Sequence, residues 1–336
     1  MTTTAAPAST PDTATNNSTE APAIANDPRV HLPLPDQVTP GKLLWPYVIS
    51  IGLFPVLAVL ALVPYFFTWT AAITAVVGIF VFGQGINLCY HRLLSHRSFV
   101  VPGWLERFFV IVALCCLQDT PGKWVAIHRF HHNHSDHQPD PHSPLVNFLW
   151  SHVGWLVIRN PGAHNIAVYR KYASDILSNP FYLKLEKTLQ WVWIYIAHAA
   201  LFTAIGFGVG WFVGGDLATA ARFGASMLVW GVILRTVLVW HITWSVNSLT
   251  HLFGYQRYKN TDDNSRNNWL VGLVAVGEGW HNNHHHDPAA ATTQRSWWEI
   301  DMTYYFIVLL ERVGLATRVT KPREQRHAER AAAAAE

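Results

Sequence analysis

Three long apolar runs, almost free of charged residues, set the pattern of the chain. Residues 43–91 and 188–215 contain no Asp, Glu, Lys or Arg, and residues 223–255 contain only Arg235. One helix over the first run would be about 74 Å long at 1.5 Å per residue, whereas a bilayer core of about 30 Å needs about 20 residues. The first run therefore predicts two membrane crossings, and the other two runs predict one each.

We expect one membrane domain over residues 42–320, between a disordered tail at 1–41, poor in large apolar side chains, and a solvated tail at 321–336. The apolar stretch 108–117 is too short to cross and is expected to pack in the interface or inside the fold. Short linkers, near residues 64–70 and at GDLATAAR, would join the crossings in pairs. The predicted transmembrane helices lie near residues 43–66, 70–90, 189–213 and 223–249.

Composition supports a membrane protein. Half of the residues are apolar and 13% are charged, about half of the charged fraction of an ordinary soluble domain. Lys and Arg are frequent in residues 92–187 and rare in the two predicted turns, so the positive-inside rule places both termini and this central segment in the cytoplasm. A net charge of +3 without a basic stripe does not indicate nucleic-acid binding. The three cysteines, all within apolar runs, are interpreted as packed thiols.

Nineteen histidines are present, and many of them fall in four short groups on the predicted cytoplasmic side. Residues i, i+3 and i+4 of a helix lie within about 60° of one direction, so each H-x-x-H-H group is predicted to aim three imidazoles at one point. His91 and His96 are five apart, so they must face different metals or bracket a helix end. The groups are His91 and His96 in YHRLLSHR, His128, His131 and His132 in HRFHH, Asn247 and His251 in VNSLTH, and His281, His284 and His285 in HNNHH.

Metal coordination explains this pattern better than packing does. Nine buried imidazoles without partners would leave unsatisfied polar atoms, each costing about 1–3 kcal/mol. Imidazole suits iron, zinc, copper and nickel, so ligand type alone does not choose the metal. A haem protein would use single histidines deep in the spans, where only His198 and His241 lie, and a zinc transporter would need ionisable ligands at the midplane. A carboxylate di-iron site needs two Glu-x-x-His pairs, and only Glu278 with His281 forms one.

With the boxes HRLLSH, HRFHH and HNNHH, together with NSLTH and GEGWHNNHH, the chain resembles the integral-membrane fatty acid desaturases, and within them the Δ9 acyl-CoA (stearoyl-CoA) branch. The resemblance runs from about residue 44 to 319. It implies an all-α membrane fold of four transmembrane helices with a cytoplasmic helical cap that carries a His-ligated di-iron centre. The iron ligands that it implies are His91, His96, His128, His131, His132, His251, His281, His284 and His285, with Asn247 acting through a water.

The resemblance also implies substrate contacts. Those expected to bend an acyl tunnel beside the metals are Gln118, Trp124, Thr243 and Trp244, and Arg159 matches a headgroup-binding position. Glu278 and Asp140 are expected to support the ligands by hydrogen bonding. The chain departs from the animal enzymes at Ala126, Ile127 and Asn160, where those carry an Arg-Asp pair and a Lys. These losses weaken coenzyme A as the acyl carrier and leave a lipid ester or a carrier protein open.

The implied activity is an oxygen-dependent fatty acyl desaturation that forms a cis double bond, expected at Δ9. An unactivated methylene has no acidic proton, so a metal-bound oxidant is required. The cofactors expected are two iron ions, with O2 as co-substrate and electrons from a separate donor: a ferredoxin, a rubredoxin or a b-type cytochrome with an NAD(P)H reductase. The alternatives are a membrane di-iron acyl or alkane hydroxylase, which uses the same histidine framework, and a non-enzymatic metal-binding protein. We expect a multi-pass protein of a bacterial inner membrane.

Overall fold

The computed structural model describes residues 31–259 and 263–335, and within them every regular element is helical, with only isolated β-bridges such as Leu43–Ile158. The predicted all-α membrane architecture is confirmed, because four helices in the described chain are long and apolar enough to cross a bilayer. Their outer faces carry exposed apolar side chains; Phe212 is 92% exposed and Leu62 82%, as suits contact with lipid. The four spans are Trp45–Leu62, Trp69–Ser95, Gln190–Gly214 and Leu217–His251.

The first two spans are each built from two helical segments. The first consists of α1 (Trp45–Ala58) and the 3-10 turn Val59–Leu62. The second begins with α2 (Trp69–Gln84), where the Thr68 hydroxyl accepts a hydrogen bond from a backbone amide of the first turn. It then continues as a π-helix over Gly85–Ser95. π-Helical segments are rare and often accompany functional sites, and this one carries part of the first histidine box.

Six helices between the second and third spans form most of the cap. Among them, α3 lies against the second span so closely that a Cβ on Gly85 would be 2.5 Å from the backbone nitrogen of Ala113. The apolar stretch 108–117 covers the second half of α3 and the turn after it, and it is not part of any of the four spans. The six helices are α3 (Gly103–Leu114), α4 (Pro121–His134), α5 (Trp155–Val157), α6 (Ile166–Tyr172), α7 (Ser174–Leu177) and α8 (Pro180–Lys187), with a π-helical turn Trp150–Gly154 before α5.

The third and fourth spans form a tight hairpin. Gly215 follows the third span in the left-handed region, with φ 69°, and Asp216 caps the next helix by accepting a hydrogen bond from the Thr219 amide at 2.8 Å. The fourth span therefore begins at Leu217 rather than near 223, because GDLATAAR is a capped helix start and not a linker. The hairpin comprises α9 (Gln190–Gly214), α10 (Leu217–Ser226), a π-helix Met227–Leu234, α11 (Arg235–Ser248) and the 3-10 turn Leu249–His251.

The ends of the described chain pack on the cap. Residues 1–30 of the predicted disordered tail lie outside the described residues, whereas residues 31–41 are tied to the cap, since Leu32 donates to the Leu145 carbonyl at 3.0 Å and Thr39 to that of Arg159 at 3.1 Å. These contacts are between backbone groups, so the amino-acid composition of residues 31–41 could not have predicted them. The last helices are α12 (Trp269–Val274), α13 (His281–His286), α14 (Met302–Arg312) and the largely exposed α15 (Arg323–Ala335).

Candidate metal centre

Nine of the predicted ligands come together in two groups, where the second and fourth spans meet the cap. In each group the candidate nitrogen atoms lie within 4.8 Å of one another. All nine side chains are buried or half-buried. The first group contains His91, His96, His128, His132 and His284, and the second group contains His131, His251, His281 and His285.

The two H-x-x-H-H boxes are divided between the groups, and the prediction that each box aims at one point is wrong. On α4, His128 and His132 belong to the first group and His131 to the second. Neighbouring residues of an α-helix are about 100° apart, so two adjacent histidines cannot face one ion, whereas residues four apart can. On α13 the same rule places His281 with His285, and His284 apart from them.

The π-helix explains why His91 and His96 share the first group. An α-helix would separate residues five apart by about 140°. Here the His96 amide donates to the His91 carbonyl at 3.1 Å, a bond across five residues, and His96 is the C-cap of the segment. The pair therefore bracket the helix end, one of the two predicted possibilities, and face the same point.

Distances within the groups fit metal coordination. Two ligands that are each about 2.1 Å from an ion and about 90° apart lie about 3.0 Å from each other. The Nε2 atom of His284 is 3.0 Å from that of His91 and 3.0 Å from that of His132. In the second group the Nε2 atoms of His281 and His285 are 3.0 Å apart, and the buried Nε2 of His251 has no hydrogen-bond partner among the described residues. Each of the two groups therefore has a donor set that could hold a metal ion.

Two of the rings are oriented by carboxylates that the sequence predicted. Glu278 Oε2 lies 2.7 Å from Nδ1 of His91, and Asp140 Oδ1 lies 3.0 Å from Nδ1 of His131. A carboxylate that accepts the Nδ1 proton fixes the tautomer and leaves Nε2 free for a metal.

Two further carboxylates do the same for the second group and were not predicted. Asp136 Oδ2 lies 2.8 Å from Nδ1 of His251, and Asp263 Oδ2 lies 2.6 Å from Nδ1 of His285. Asp136 lies in the same His-rich stretch as Asp140, which is a signal that sequence reasoning could have used. Asp263 lies in TDDNS, twenty-two residues from its partner, and offers no such signal.

A buried ion network holds Glu278 in place. The Arg92 Nη2 donates to Glu278 Oε1 at 2.7 Å and its Nη1 donates to Asp301 Oδ2 at 2.8 Å. Burial alone would raise the pKa of Glu278, but the charges of Arg92 and His91 outweigh it and lower the pKa to about 2. Glu278 is thus a carboxylate at neutral pH and can accept a hydrogen bond from Nδ1 of His91.

The imidazoles are held in the form that binds metals. Burial, with the neighbouring imidazoles adding to it, lowers the pKa of several ligand histidines well below the usual value. These rings are therefore neutral at physiological pH and bind a cation without first losing a proton. The histidines concerned include His128, His132, His281 and His284.

A cavity of about 290 Å³ reaches the first group. His128 forms part of its wall, and the indole of Trp124 stacks on that imidazole with ring centroids 5.0 Å apart. The Gln118 Nε2 donates to the Thr243 hydroxyl at 3.0 Å, which joins the loop after α3 to the fourth span. Trp244 also lines the cavity. The structure thus brings four of the predicted substrate contacts to one cavity beside the histidines.

The fifth predicted substrate contact, Arg159, lies away from the cavity, whereas Asn247, which was predicted to act on a metal through a water, lies in the cavity wall. Arg159 is exposed and is not among the residues that line the cavity. Asn247 lines the cavity one helical turn before His251, and its backbone carbonyl accepts the Ser151 hydroxyl at 3.0 Å.

The cavity lining also contains a group of polar side chains that sequence reasoning did not find. The Tyr47 hydroxyl donates to Asp119 at 2.5 Å, and Lys123 Nζ lies 3.3 Å from the same carboxylate. These side chains come from α1, from the loop after α3 and from the start of α4, so no motif in the sequence connects them.

Comparison with known proteins places these features in a family. A sequence model described as "Fatty acid desaturase" matches residues 44–307. The chain is 40% identical over 287 residues to an sn-2 palmitoyl-lipid 9-desaturase of Nostoc sp. (strain 36), covering 85% of this chain and 93% of that protein. It is 41% identical to an sn-1 stearoyl-lipid 9-desaturase of Anabaena variabilis (78% and 88% covered) and 39% identical to an acyl-CoA 5-desaturase of Anemone leveillei (83% and 80%).

Proposed function

The chain belongs to the fatty acid desaturase family and is an oxidoreductase of the membrane, and we propose that it introduces a cis double bond at Δ9 into a saturated acyl chain esterified to a lipid. The names of similar proteins support the Δ9 position. The observation that carries the proposal is the pair of histidine groups, the first of which reaches, through His128, the wall of a cavity that is also lined by Trp124, Trp240 and Trp244.

The family is iron-dependent, and the two histidine groups could hold metal ions. We assign one iron to each group, with five imidazoles on the first and four on the second. Bound iron, with O2 as co-substrate, would supply the oxidising power toward an unactivated methylene that side chains lack. This assignment is supported by the short Nε2 to Nε2 distances and by the free nitrogen of His251.

The protein's own contribution is to hold the imidazoles still. Glu278, Asp140, Asp136 and Asp263 each accept a hydrogen bond from Nδ1 of one ring. Rotation of such a ring would break a hydrogen bond to a charged group, which contributes about 1.5–3 kcal/mol. The ligand nitrogen atoms are therefore positioned before a metal binds.

The cavity wall selects the carbons. The methylenes of a saturated chain are chemically alike, so position must come from geometry. Trp124 stacks on His128, and the Gln118–Thr243 hydrogen bond fixes another part of the cavity wall. We propose that a chain lying between them presents one pair of carbons to the metal groups.

The lining of the cavity favours a lipid over coenzyme A as acyl carrier. Coenzyme A carries several phosphates and needs cations to hold them. Among the described lining residues the one Lys or Arg is Lys123, and it is paired with Asp119. Arg159 lies apart from the cavity, and Ala126 and Ile127 carry no charge. Two of the similar proteins are named for lipid-linked chains.

We propose that the chain lies in a bacterial inner membrane with both termini and the histidine groups in the cytoplasm. The support is the charge pattern, because Lys and Arg concentrate in the cap. Electrons would come from a separate cytoplasmic donor.

Lipid analysis of an expressing strain tests the proposal. In a host that makes no monounsaturated lipids, gas chromatography is expected to show oleate or palmitoleate, and release by a position-specific lipase assigns the acyl position. His284→Ala, which removes a ligand of the first group, should give no product, whereas His327→Ala in the exposed α15 should match the wild type. Hydroxylated acyl chains in place of olefins would contradict the proposal.

A further inference from the structure

A cluster of cations on the cap surface includes the residues that directly follow two histidines of the first group. Arg97 follows His96, and Arg129 follows His128; the Nε2 atoms of these two histidines are 2.8 Å apart. Arg97 projects outward, with its side chain 62% exposed. The cluster is thus one residue away from two candidate iron ligands.

Contacts join these cations into one surface. Arg129 donates to Asp175 at 2.8 Å, and Arg97 pairs with the same carboxylate. Arg129 also donates to the Tyr172 carbonyl at 2.8 Å, and Lys171 Nζ lies 4.8 Å from the ring centroid of Tyr172. We define the basic patch as Arg97, Arg129, Arg170 and Lys171, of which Arg170 and Lys171 are exposed on α6.

The patch has an excess of positive charge. Among the described residues, Asp175 is the carboxylate that its arginines pair with, so four cations share one acid. The other basic surface of the cap, around α15, differs. There Lys321 pairs with Glu329 at 2.5 Å and Arg326 with Asp287 at 2.9 Å. The basic patch is therefore the surface with an unbalanced field close to the metal groups.

Electron balance requires a partner at such a place, given the proposed function on which this inference rests. Conversion of CH2–CH2 and O2 into CH=CH and two waters needs two protons and two electrons beyond those that leave with the C–H bonds. The side chains described here hold no reductant. We propose that the basic patch is the docking surface for a reduced, acidic one-electron carrier protein, which is oxidised as it delivers the two electrons one at a time.

Charge complementarity would steer the carrier to the patch and orient it there. Docking over Arg97 places the carrier next to His96, which is half-buried rather than covered by a thick layer of protein. The surface needs no apolar groove, because a carrier that must leave after each electron benefits from weak, fast, salt-sensitive binding.

A pair of matched double variants tests the docking surface in the full-length, iron-loaded chain in neutral-lipid nanodiscs. Arg97→Asn with Lys171→Gln removes two charges from the patch, and Asn suits the left-handed backbone of residue 97, φ 52°. Lys321→Gln with Arg330→Gln removes two charges from exposed positions near α15. The probe is an acidic plant-type [2Fe–2S] ferredoxin, measured by equilibrium binding in its oxidised form and by turnover in its reduced form.

The patch variant is expected to bind the ferredoxin about tenfold more weakly, and the control variant to bind like the wild type. Wild-type affinity should fall with added salt, since the Debye length is only about 10 Å at 0.1 M. Turnover with dithionite-reduced methyl viologen should be equal in all three proteins. If the patch variant loses iron, Lys171→Glu alone, on an exposed side chain, is expected to weaken binding in the same direction.

Equal ferredoxin binding by the two double variants would overturn the proposal. A loss of viologen-driven turnover in the patch variant as large as its loss of ferredoxin-driven turnover would also overturn the proposal. That result would mean that the cations support the metal groups. Unchanged ferredoxin affinity with a lost preference for anionic nanodiscs would assign the patch to lipid headgroups instead. A wild type that binds ferredoxin at the patch but makes no olefin would contradict the proposed function and leave the docking surface standing.

Discussion

Asp136→Asn offers a test of the second histidine group with little disturbance of the backbone. Asp136 has φ 58°, a left-handed conformation that Asn adopts readily. Its carboxylate accepts from His251 Nδ1 at 2.8 Å, from the Asn264 amide at 2.8 Å and from the Ser143 hydroxyl at 2.6 Å. An Asn can turn its oxygen toward the first two donors and its amide toward the Ser143 hydroxyl. The geometry is kept and the charge is lost.

The size of the effect follows from the change in one hydrogen bond. Burial alone would raise the pKa of Asp136, but His251 and the hydrogen bonds lower it to about 2, so the native group is charged. A hydrogen bond to a charged group contributes about 1.5–3 kcal/mol and a neutral one about 0.5–1.5 kcal/mol. The loss of about 1.4 kcal/mol weakens metal binding about tenfold, the lower end of the range for removing a partner of a ligand histidine.

Chelator competition measures this directly. Iron retained per protein is followed against increasing chelator, and we expect one iron of the variant to leave at about a tenfold lower chelator concentration while the other is unaffected. Asp216→Asn is the matched control, because Asp216 caps the exposed start of the fourth span and Asn caps equally well. Retention of both irons as in the wild type, or loss of both together, would refute the reasoning.

Four further predictions follow from other contacts. His132→Ala should remove iron from the first group and abolish the olefin product, while His327→Ala should keep both; metal analysis and gas chromatography decide. Gly85→Ala should lower the thermal midpoint by the equivalent of about 1–3 kcal/mol, because the new Cβ meets the backbone of α3, whereas Gly83→Ala, with nothing within 4 Å, should not. Gln118→Ala removes a hydrogen bond of about 1 kcal/mol from the cavity wall, so the variant should form double bonds at neighbouring carbons as well. Mass spectrometry of the products tests this, and a product with its double bond only at the wild-type position would contradict the prediction. Burial holds the pKa values of His128, His132 and His284 well below the ordinary value of about 6.5. The unfolded chain therefore takes up protons that the folded apoprotein excludes as the pH falls below that value, so the thermal midpoint of the apoprotein should be lower at about pH 5.5 than at about pH 8, and equal midpoints would contradict this.

The spans and the histidine boxes were predictable because each leaves a local pattern. A charge-free run longer than a bilayer needs has few alternatives, and histidines on one side of a predicted topology imply one site. The division of HRFHH between two groups was also within reach, since adjacent residues of a helix diverge by about 100°. The prediction that the three imidazoles converge was based on residues three and four apart. It left out the angle of about 100° between the adjacent residues His131 and His132.

Other features depend on tertiary contacts and leave no local pattern. The π-helix over Gly85–Ser95 is one such feature, and α3 packs closely against its first residue, Gly85. Asp263 is another, since its role exists only once α13 and the polar loop before α12 are brought together. The pairing of Tyr47 with Asp119 likewise joins segments seventy-two residues apart. Such partners become visible only when the fold assembles them.

The placement of charge around the two histidine groups indicates how they could hold metal ions inside the protein. Two divalent irons would bring four positive charges into a buried region, where unpaired charge is costly. Arg92 adds a fifth positive charge. Burial, with the charge of Asp136 adding to it, raises the pKa of Asp140 to about 6 in the metal-free chain. A raised pKa is expected for a buried carboxylate whose negative charge is not balanced by a nearby cation. Five buried carboxylates balance these five charges: Glu278, Asp301, Asp136, Asp140 and Asp263.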